Sequence, residues 1–328
     1  MKKQSVALVI PTIRTLDFLS AWGDQFNGAS LYVIEDHTSR ELKTPTLDGV
    51  QMHHYAWNDI RDDFGKDEWI FSRKNAGIRS YGFWKAYQDG AEVIITLDDD
   101  CYPTNDPLVS GHLDNLIYKA PDAWMSVYPD PQHLYTRGFH YDVREKKRTV
   151  ISHGLWSGAL DLDAQTEVAT GKLQERPYPP LRMTVPSGMF FPMSSMNLAF
   201  VREITPTMFF PMMGYDPEGK PWGYDRYDDI WAGVFAKKIC DHLGLAVVSG
   251  SPFVEHRKAS DPSANLVKER VGMRINEGLW KHVDDARLTK RRPAACFREL
   301  ADVIDFPSGR YFERLRLAMR IWSGLFGN

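Results

Sequence analysis

Three short apolar runs, rich in β-branched residues, each stop abruptly at a proline or an acidic step. Val6-Ala7-Leu8-Val9-Ile10 stops at Pro11, and Leu31-Tyr32-Val33-Ile34 stops at Glu35-Asp36. Val93-Ile94-Ile95-Thr96-Leu97 runs into Asp98-Asp99-Asp100. A run with no polar alternation reads as a strand buried on both faces, the habit of parallel sheets covered by helices. Helix-like spacing over 16–26 and 72–88 separates these runs, and 50–55 reads as a weaker third strand. The βαβαβ alternation predicts an α/β protein with a mixed, mostly parallel sheet and flanking helices.

The middle of the chain, 125–213, is rich in Pro, Gly and aromatic residues and reads as strands joined by long loops. A helix is expected over 227–243 and a strand over 245–248. Past Pro262 the chain turns helical and more basic, with Arg287, Lys290, Arg291 and Arg292 clustered. Over 311–326, Phe312, Leu315, Ala318, Met319 and Trp322 recur at three- and four-residue steps, an amphipathic helix. Such a helix docks on its own domain; a homo-oligomer contact or an anionic membrane surface is the alternative. The expected organisation is one domain over 1–265 and a helical C-terminal extension over 266–328 packed on it.

Forty basic against 43 acidic residues give a net charge of −3, so the chain lacks the cationic footprint of a nucleic-acid binder. The cysteines, Cys101, Cys240 and Cys296, fit neither a disulfide framework nor a zinc site. The N-terminus has no apolar stretch of signal-peptide length, and no run approaches the ~18 apolar residues of a membrane span. A cytoplasmic protein with no transmembrane segment is the expectation.

Asp98-Asp99-Asp100 is the sharpest chemical signal. Three adjacent carboxylates repel one another, and a divalent cation relieves that penalty. Asp98 and Asp100, two apart in an extended segment, can face one side and hold Mg²⁺ or Mn²⁺ with positions left for phosphate oxygens. That is the D-x-D logic of nucleotide-sugar enzymes, and the carboxyl end of a parallel strand is where open α/β sheets bind ligands. An acidic surface loop is the plainer alternative. Asp228-Asp229 opens the helix expected over 227–243; one acid suits a cap, and the other can hold a sugar hydroxyl or steady positive charge on a reacting sugar. His256, followed by Arg257 and Lys258, would suit the far side of a metal–diphosphate. Pro11-Thr12 with Arg14, and Glu35-Asp36, are strand-end groups that can hold a base and ribose or simply form surface turns.

Taken in order, these stretches resemble one family: the plant reversibly glycosylated polypeptides, also called UDP-arabinopyranose mutases, and their microbial relatives. The resemblance rests on Val9-Ile10-Pro11-Thr12-Ile13-Arg14, Asn58-Asp59-Ile60, Arg79 with Tyr81-Gly82, and Asp98-Asp99-Asp100-Cys101. It continues through Arg137-Gly138 with Arg144-Glu145, Ser152-His153-Gly154-Leu155-Trp156 and Met196-Asn197-Leu198-Ala199-Phe200. It ends with 226–233, 239–245 and His256 with Lys258-Ala259-Ser260, spanning roughly 6–268. Where the plant proteins have Cys-Gly before Met-Asn-Leu, this chain has Ser194-Ser195.

The resemblance implies a glycosyltransferase-A-like fold, a divalent metal (Mn²⁺ or Mg²⁺) and a UDP-sugar substrate. The implied activity interconverts pyranose and furanose forms of UDP-arabinose without a flavin, with self-glycosylation on arginine. It places the metal at Asp98, Asp100 and His256. Pro11, Thr12, Arg14, Glu35, Asp36, Asp59, Arg79, Asp99 and Lys258 would hold the nucleotide sugar, with Arg79 and Lys258 on phosphate charge. Arg137, Arg144, Asp228 and Asp229 would be catalytic, Arg137 being the glycosylated position and at least one arginine reaching the diphosphate or anomeric carbon. A glycosyltransferase with an external acceptor and an inactive nucleotide-sugar-binding partner subunit are the competing functions.

Overall fold

The structure is a computed structural model and describes residues 4–126, 128, 134–171, 173–175, 180–258 and 260–327. Ala259, in the last matching stretch, and parts of 125–213 lie outside the described residues.

The three apolar runs form β1 (Val6–Thr12), β2 (Ala29–Glu35) and β4 (Val93–Leu97), with β3 (Gln51–Tyr55) beyond β2. β1 pairs in parallel with β2 and β4, and β2 with β3, so their carboxyl ends share one edge. Short β5 (Cys101–Pro103) and β6 (Lys119–Ala120) precede β7 (Lys147–Ala159), with β8 (Gln174–Glu175), β9 (Arg182–Val185), β10 (Asn197–Val201) and β11 (Ala246–His256) after it. The sheet order is β3-β2-β1-β4-β10-β7-β11-β5, with β6, β8 and β9 off this path. β10 runs antiparallel between β4 and β7, while β7 and β11 are parallel. This mixed, mostly parallel sheet with flanking helices is consistent with a glycosyltransferase-A-like fold.

Alternation along the strands sends side chains to two cores. Leu8, Ile10, Leu31, Val33 and Ile95 face one side, under Phe18, Trp22, Phe26 and Leu116. Val9, Ile34, Ile94 and Phe200 face the other, under buried residues of α1 (Trp57–Phe64), α2 (Arg79–Gln88) and α5 (Asp228–His242). The helices α3 (Leu108–Ile117), α4 (Ala164–Thr170), α6 (Pro262–Asp285), α7 (Pro293–Val303) and α8 (Arg310–Gly324) complete the described set. Leu279, Phe297, Leu300, Leu315 and Trp322 join that second core, so the C-terminal helices bury their apolar faces against the sheet's own helices. The expected stripe on the last helix is buried: Phe312, Leu315, Ala318, Met319 and Trp322 all face inward. Among the described residues no helix is long and apolar enough to cross a membrane.

Two helix expectations change. The segment 16–26 forms two 3₁₀ turns, Asp17–Ala21 and Gly23–Phe26. Buried Leu16, Leu19 and Trp22 are three apart, the 3₁₀ repeat, and Gly23 breaks the run at φ +44°. The segment 72–88 becomes α2 only from Arg79; Asn75 turns its side chain onto the Gly77 N–H and caps a 3₁₀ turn, Ala76–Ile78, that leads into it.

Gly82 lets α2 lie directly on the sheet. A Cβ there would sit 2.5 Å from Val9 Cγ1 and 2.9 Å from Ile34 Cγ1. Gly82→Ala is therefore expected to destabilise the protein by about 1–3 kcal/mol, read by denaturant titration; parental stability would show that the helix can lift without cost.

Candidate active site

The triplet turns the chain from β4 into β5, with Cys101 N–H donating to the Asp98 carbonyl at 3.2 Å. β5 pairs antiparallel with the end of β11, bringing His256 level with Cys101. The His256 ring thereby reaches the triplet, its Nε2 lying 3.9 Å from Asp100 Oδ1. His256 Nδ1 is 2.9 Å from the Ala159 carbonyl, an atom that can only accept. Nδ1 therefore carries a proton, and Nε2 is the ring nitrogen turned toward Asp100.

The three carboxylates have different neighbours. Asp98 is bound by Arg79 Nη2. Arg79 is fully buried and also donates to Thr96 Oγ1 (2.9 Å), the Ser195 carbonyl (2.8 Å) and the Ala76 carbonyl (3.0 Å). Asp99 accepts from Thr12 Oγ1 at 2.6 Å and from Arg14 Nε at 3.0 Å. Asp100 faces His256 and lies 3.6 Å from Arg14 Nη2. Pro11 and Thr12 are buried at the end of β1, where Thr12 Oγ1 also accepts from the Arg14 N–H.

Two residues beyond β7, Asp161 adds a carboxylate that the strand and helix patterns did not single out. Desolvation among the surrounding groups raises its pKa, against the pull of His256, Arg226 and Lys258. Arg226 stands before α5 in the left-handed region at φ +67°, tied by Nε to Glu269 Oε1 at 2.8 Å. Lys258 makes a buried pair with Glu167 at 2.6 Å. Both anchoring acids belong to helices, α4 and α6, that Glu269 also joins by accepting the Ala164 N–H at 2.8 Å.

Asp228 and Asp229 open α5 at the same edge. Asp228 is buried and Asp229 is partly exposed. Burial raises both pKa values; Asp229 repels Asp228 further, Asp161 repels Asp229, and Arg79 opposes the rise in each. Asp229 Oδ2 accepts from Ser195 N–H at 3.0 Å and Ser195 Oγ at 3.1 Å. This gives two coupled carboxyls beside a cationic anchor, a pair suited to holding one proton near neutral pH.

The sequence profile described as reversibly glycosylated polypeptide matches residues 1–327. The chain belongs to that family. UDP-arabinopyranose mutase 1 of Arabidopsis thaliana is 36% identical to this family member, covering 98% of this chain and 91% of the relative. UDP-arabinopyranose mutase 1 of Oryza sativa subsp. japonica is 34% identical over 98% of this chain and 90% of its own length. Probable UDP-arabinopyranose mutase 2 of Solanum tuberosum is 35% identical, over 98% and 89% respectively. The match runs through the C-terminal helices, beyond the stretch at 6–268 in which the resemblance was legible.

The family member does not gather every expected residue. Glu35 is fully buried, held by His37 Nδ1 (2.7 Å), His54 Nε2 (2.6 Å) and the N–H groups of Glu41 and Leu42. It braces the loop after β2, so no face of it is left for a ribose. Asp36 is bound to Arg73 Nε at 2.6 Å. Asp59 accepts the Ala56 N–H at 2.8 Å at the start of α1 and pairs with Arg40, a capping role.

The arginine pair is also elsewhere. Arg144 lies just before β7, whose first residue is six positions ahead of His153, and His153 is level, through Leu198, with Thr96. At about 3.3 Å per residue, the start of β7 is roughly 20 Å from the triplet's edge. There the Arg144 guanidinium is sandwiched by Tyr135 and Tyr141 at 4.3 and 4.1 Å, and it donates to the Phe139 carbonyl at 3.1 Å. Arg137 is exposed on the same loop. Strand register thus sets the pair apart from the acidic edge, where the described cations include Arg14, Arg79, Arg226 and Lys258.

Proposed function

We propose that this chain is a UDP-sugar mutase that interconverts pyranose and furanose forms of a UDP-arabinose-like sugar. The observation that carries the reading is the adjacent Asp228–Asp229 pair at the start of α5, set beside the Arg79–Asp98 anchor in a chain of this family. The relatives' names supply the reaction class, and the geometry supports a division of labour.

The residues at the triplet fit a divalent cation. Among the described residues no three His, Cys, Asp or Glu side chains gather closely enough to hold a metal alone. Asp100 Oδ1 and His256 Nε2, however, are two acceptors facing each other at 3.9 Å, within twice a metal–ligand bond of about 2.1 Å. Mg²⁺ and Mn²⁺ commonly take one or two protein ligands and fill the rest with water and substrate phosphate. Asp100 and His256 would hold the cation, with Asp98 beside them. Its chemistry there is neutralisation of charge on the departing diphosphate.

Ring contraction needs four changes. The anomeric C–O bond breaks with its electrons on the diphosphate, a different hydroxyl adds to the resulting glycosyl cation, the original ring C–O bond then breaks with its electrons on the former ring oxygen, and the same diphosphate is recaptured at the anomeric carbon. The closing hydroxyl gives up one proton and the former ring oxygen takes one, so the net proton count is zero. Partly exposed Asp229 would receive that proton, with buried Asp228 staying protonated beside it. Arg226 and Lys258 would supply positive charge to hold the diphosphate while the sugar is detached, and buried Arg79 offsets the charge of Asp98 from behind. We assign neither Arg137 nor Arg144 to these steps.

Incubation with UDP-arabinopyranose and Mn²⁺, without any acceptor, tests the reading. UDP-arabinofuranose is the expected product. Hydrolysis alone, or transfer only when an acceptor is added, would instead mark a glycosyltransferase, and no reaction across UDP-sugars would mark an inactive binding subunit.

A further inference from the structure

Ser195 occupies an unusual junction. It is buried, yet all three of its hydrogen-bonding groups point at the machinery of the cleft. Its N–H and its hydroxyl both donate to one oxygen of Asp229, at 3.0 and 3.1 Å. Its carbonyl accepts from Arg79 Nη1 at 2.8 Å, and the same guanidinium holds Asp98. One residue thus links the carboxylate assigned to the sugar with the guanidinium that holds Asp98 of the triplet.

The segment carrying Ser195 is fixed from behind by His153. The Ser194 N–H donates to His153 Nε2 at 3.1 Å, which makes Nε2 the acceptor and puts the ring proton on Nδ1, 2.9 Å from Ser249 Oγ. The ring is buried and packed edge-on to Trp156 and Phe191, with interplanar angles of 83° to each. Burial lowers the His153 pKa to about 4, so the acceptor persists at neutral pH. Ser249 and His153 come from β11 and β7, two paired strands of the rigid sheet.

We infer that Ser195 is a positioning residue of the ring chemistry, aiming Asp229 Oδ2 through its hydroxyl and N–H, and that His153 holds it in register. This rests on the mutase reading. A hydrogen bond to a charged group is worth about 1.5–3 kcal/mol in general, and here it acts on the group that takes a proton during reaction. Losing it should change kcat, because the aim of Asp229 matters in the transition state and contributes little to binding the nucleotide.

The test uses the full chain. Ser195→Ala keeps the N–H and the size and removes only the hydroxyl. Its kcat with UDP-arabinopyranose is expected to fall about tenfold, with KM within about twofold of parental and an unchanged melting temperature. His153→Leu is expected to lower kcat in the same direction, and His153→Gln, which can accept from Ser194, to recover part of that loss. Parental kcat in Ser195→Ala, or a raised KM with unchanged kcat, overturns the inference. A loss confined to melting temperature would also overturn it, since that marks a purely structural serine. Failure of the parental protein to form furanose is a separate result and counts against the mutase reading instead.

Discussion

Asp100→Ala is expected to reduce turnover about 100- to 1000-fold and to abolish its dependence on added Mn²⁺. The Asp100 side chain is largely enclosed, at 16% exposure, and its backbone carbonyl, which accepts the Arg257 N–H, survives the substitution. The loss should therefore appear in catalysis with little change in melting temperature. His256→Ala is expected to act in the same direction, because it removes the other acceptor of the facing pair. Mn²⁺-dependent binding of UDP, measured by calorimetry, gives an independent readout and should weaken in both variants. Parental turnover of Asp100→Ala in the presence of chelator would remove the cation from the account.

Asp228→Asn is expected to separate activity from stability. Burial and the neighbouring Asp229 raise the Asp228 pKa to about 8. A carboxyl whose folded pKa lies above its unfolded value binds more protons in the native state, so its contribution to stability is present at low pH. That contribution falls as pH rises from the ordinary aspartate range near 4 to about 8. Asparagine carries no charge to bury, so the variant should melt a few degrees above the parent at pH 8 and show little difference at pH 4. Its turnover should fall by about two orders of magnitude or more, since asparagine cannot exchange a proton with Asp229 beside it. A variant that melts lower than the parent at pH 8 would show that Asp228 makes a net stabilising interaction as the ion.

The sequence made the central sheet legible because three of its strands are apolar on both faces, a pattern that few other structures produce. The triplet was legible for a related reason: three carboxylates directly after such a strand have no place in the core. The meeting of His256 with the triplet also followed, since both sit at the ends of apolar runs. What stayed hidden depended on contacts distant in sequence. Glu35 looked like any strand-end acid until the folded loop closed His37 and His54 over it. Ser195 and Asp161 have no local signature; one becomes significant only when α5 brings Asp229 to it, and the other when Arg226 and Lys258 converge on its loop. Period alone read 16–26 as an α-helix, where a strict three-residue spacing favours 3₁₀ turns. The arginine pair was carried by resemblance, and only strand register places it at the other end of the sheet.

The central claim is that the acidic edge of the sheet isomerises a nucleotide sugar without parting with it. The direct test follows UDP-arabinopyranose and, separately, UDP-arabinofuranose with the purified protein and Mn²⁺ by proton and phosphorus NMR. The account predicts that both samples reach the same pyranose-to-furanose ratio with no free UDP accumulating. Steady release of UDP from either sample, with no second ring form appearing, would contradict it.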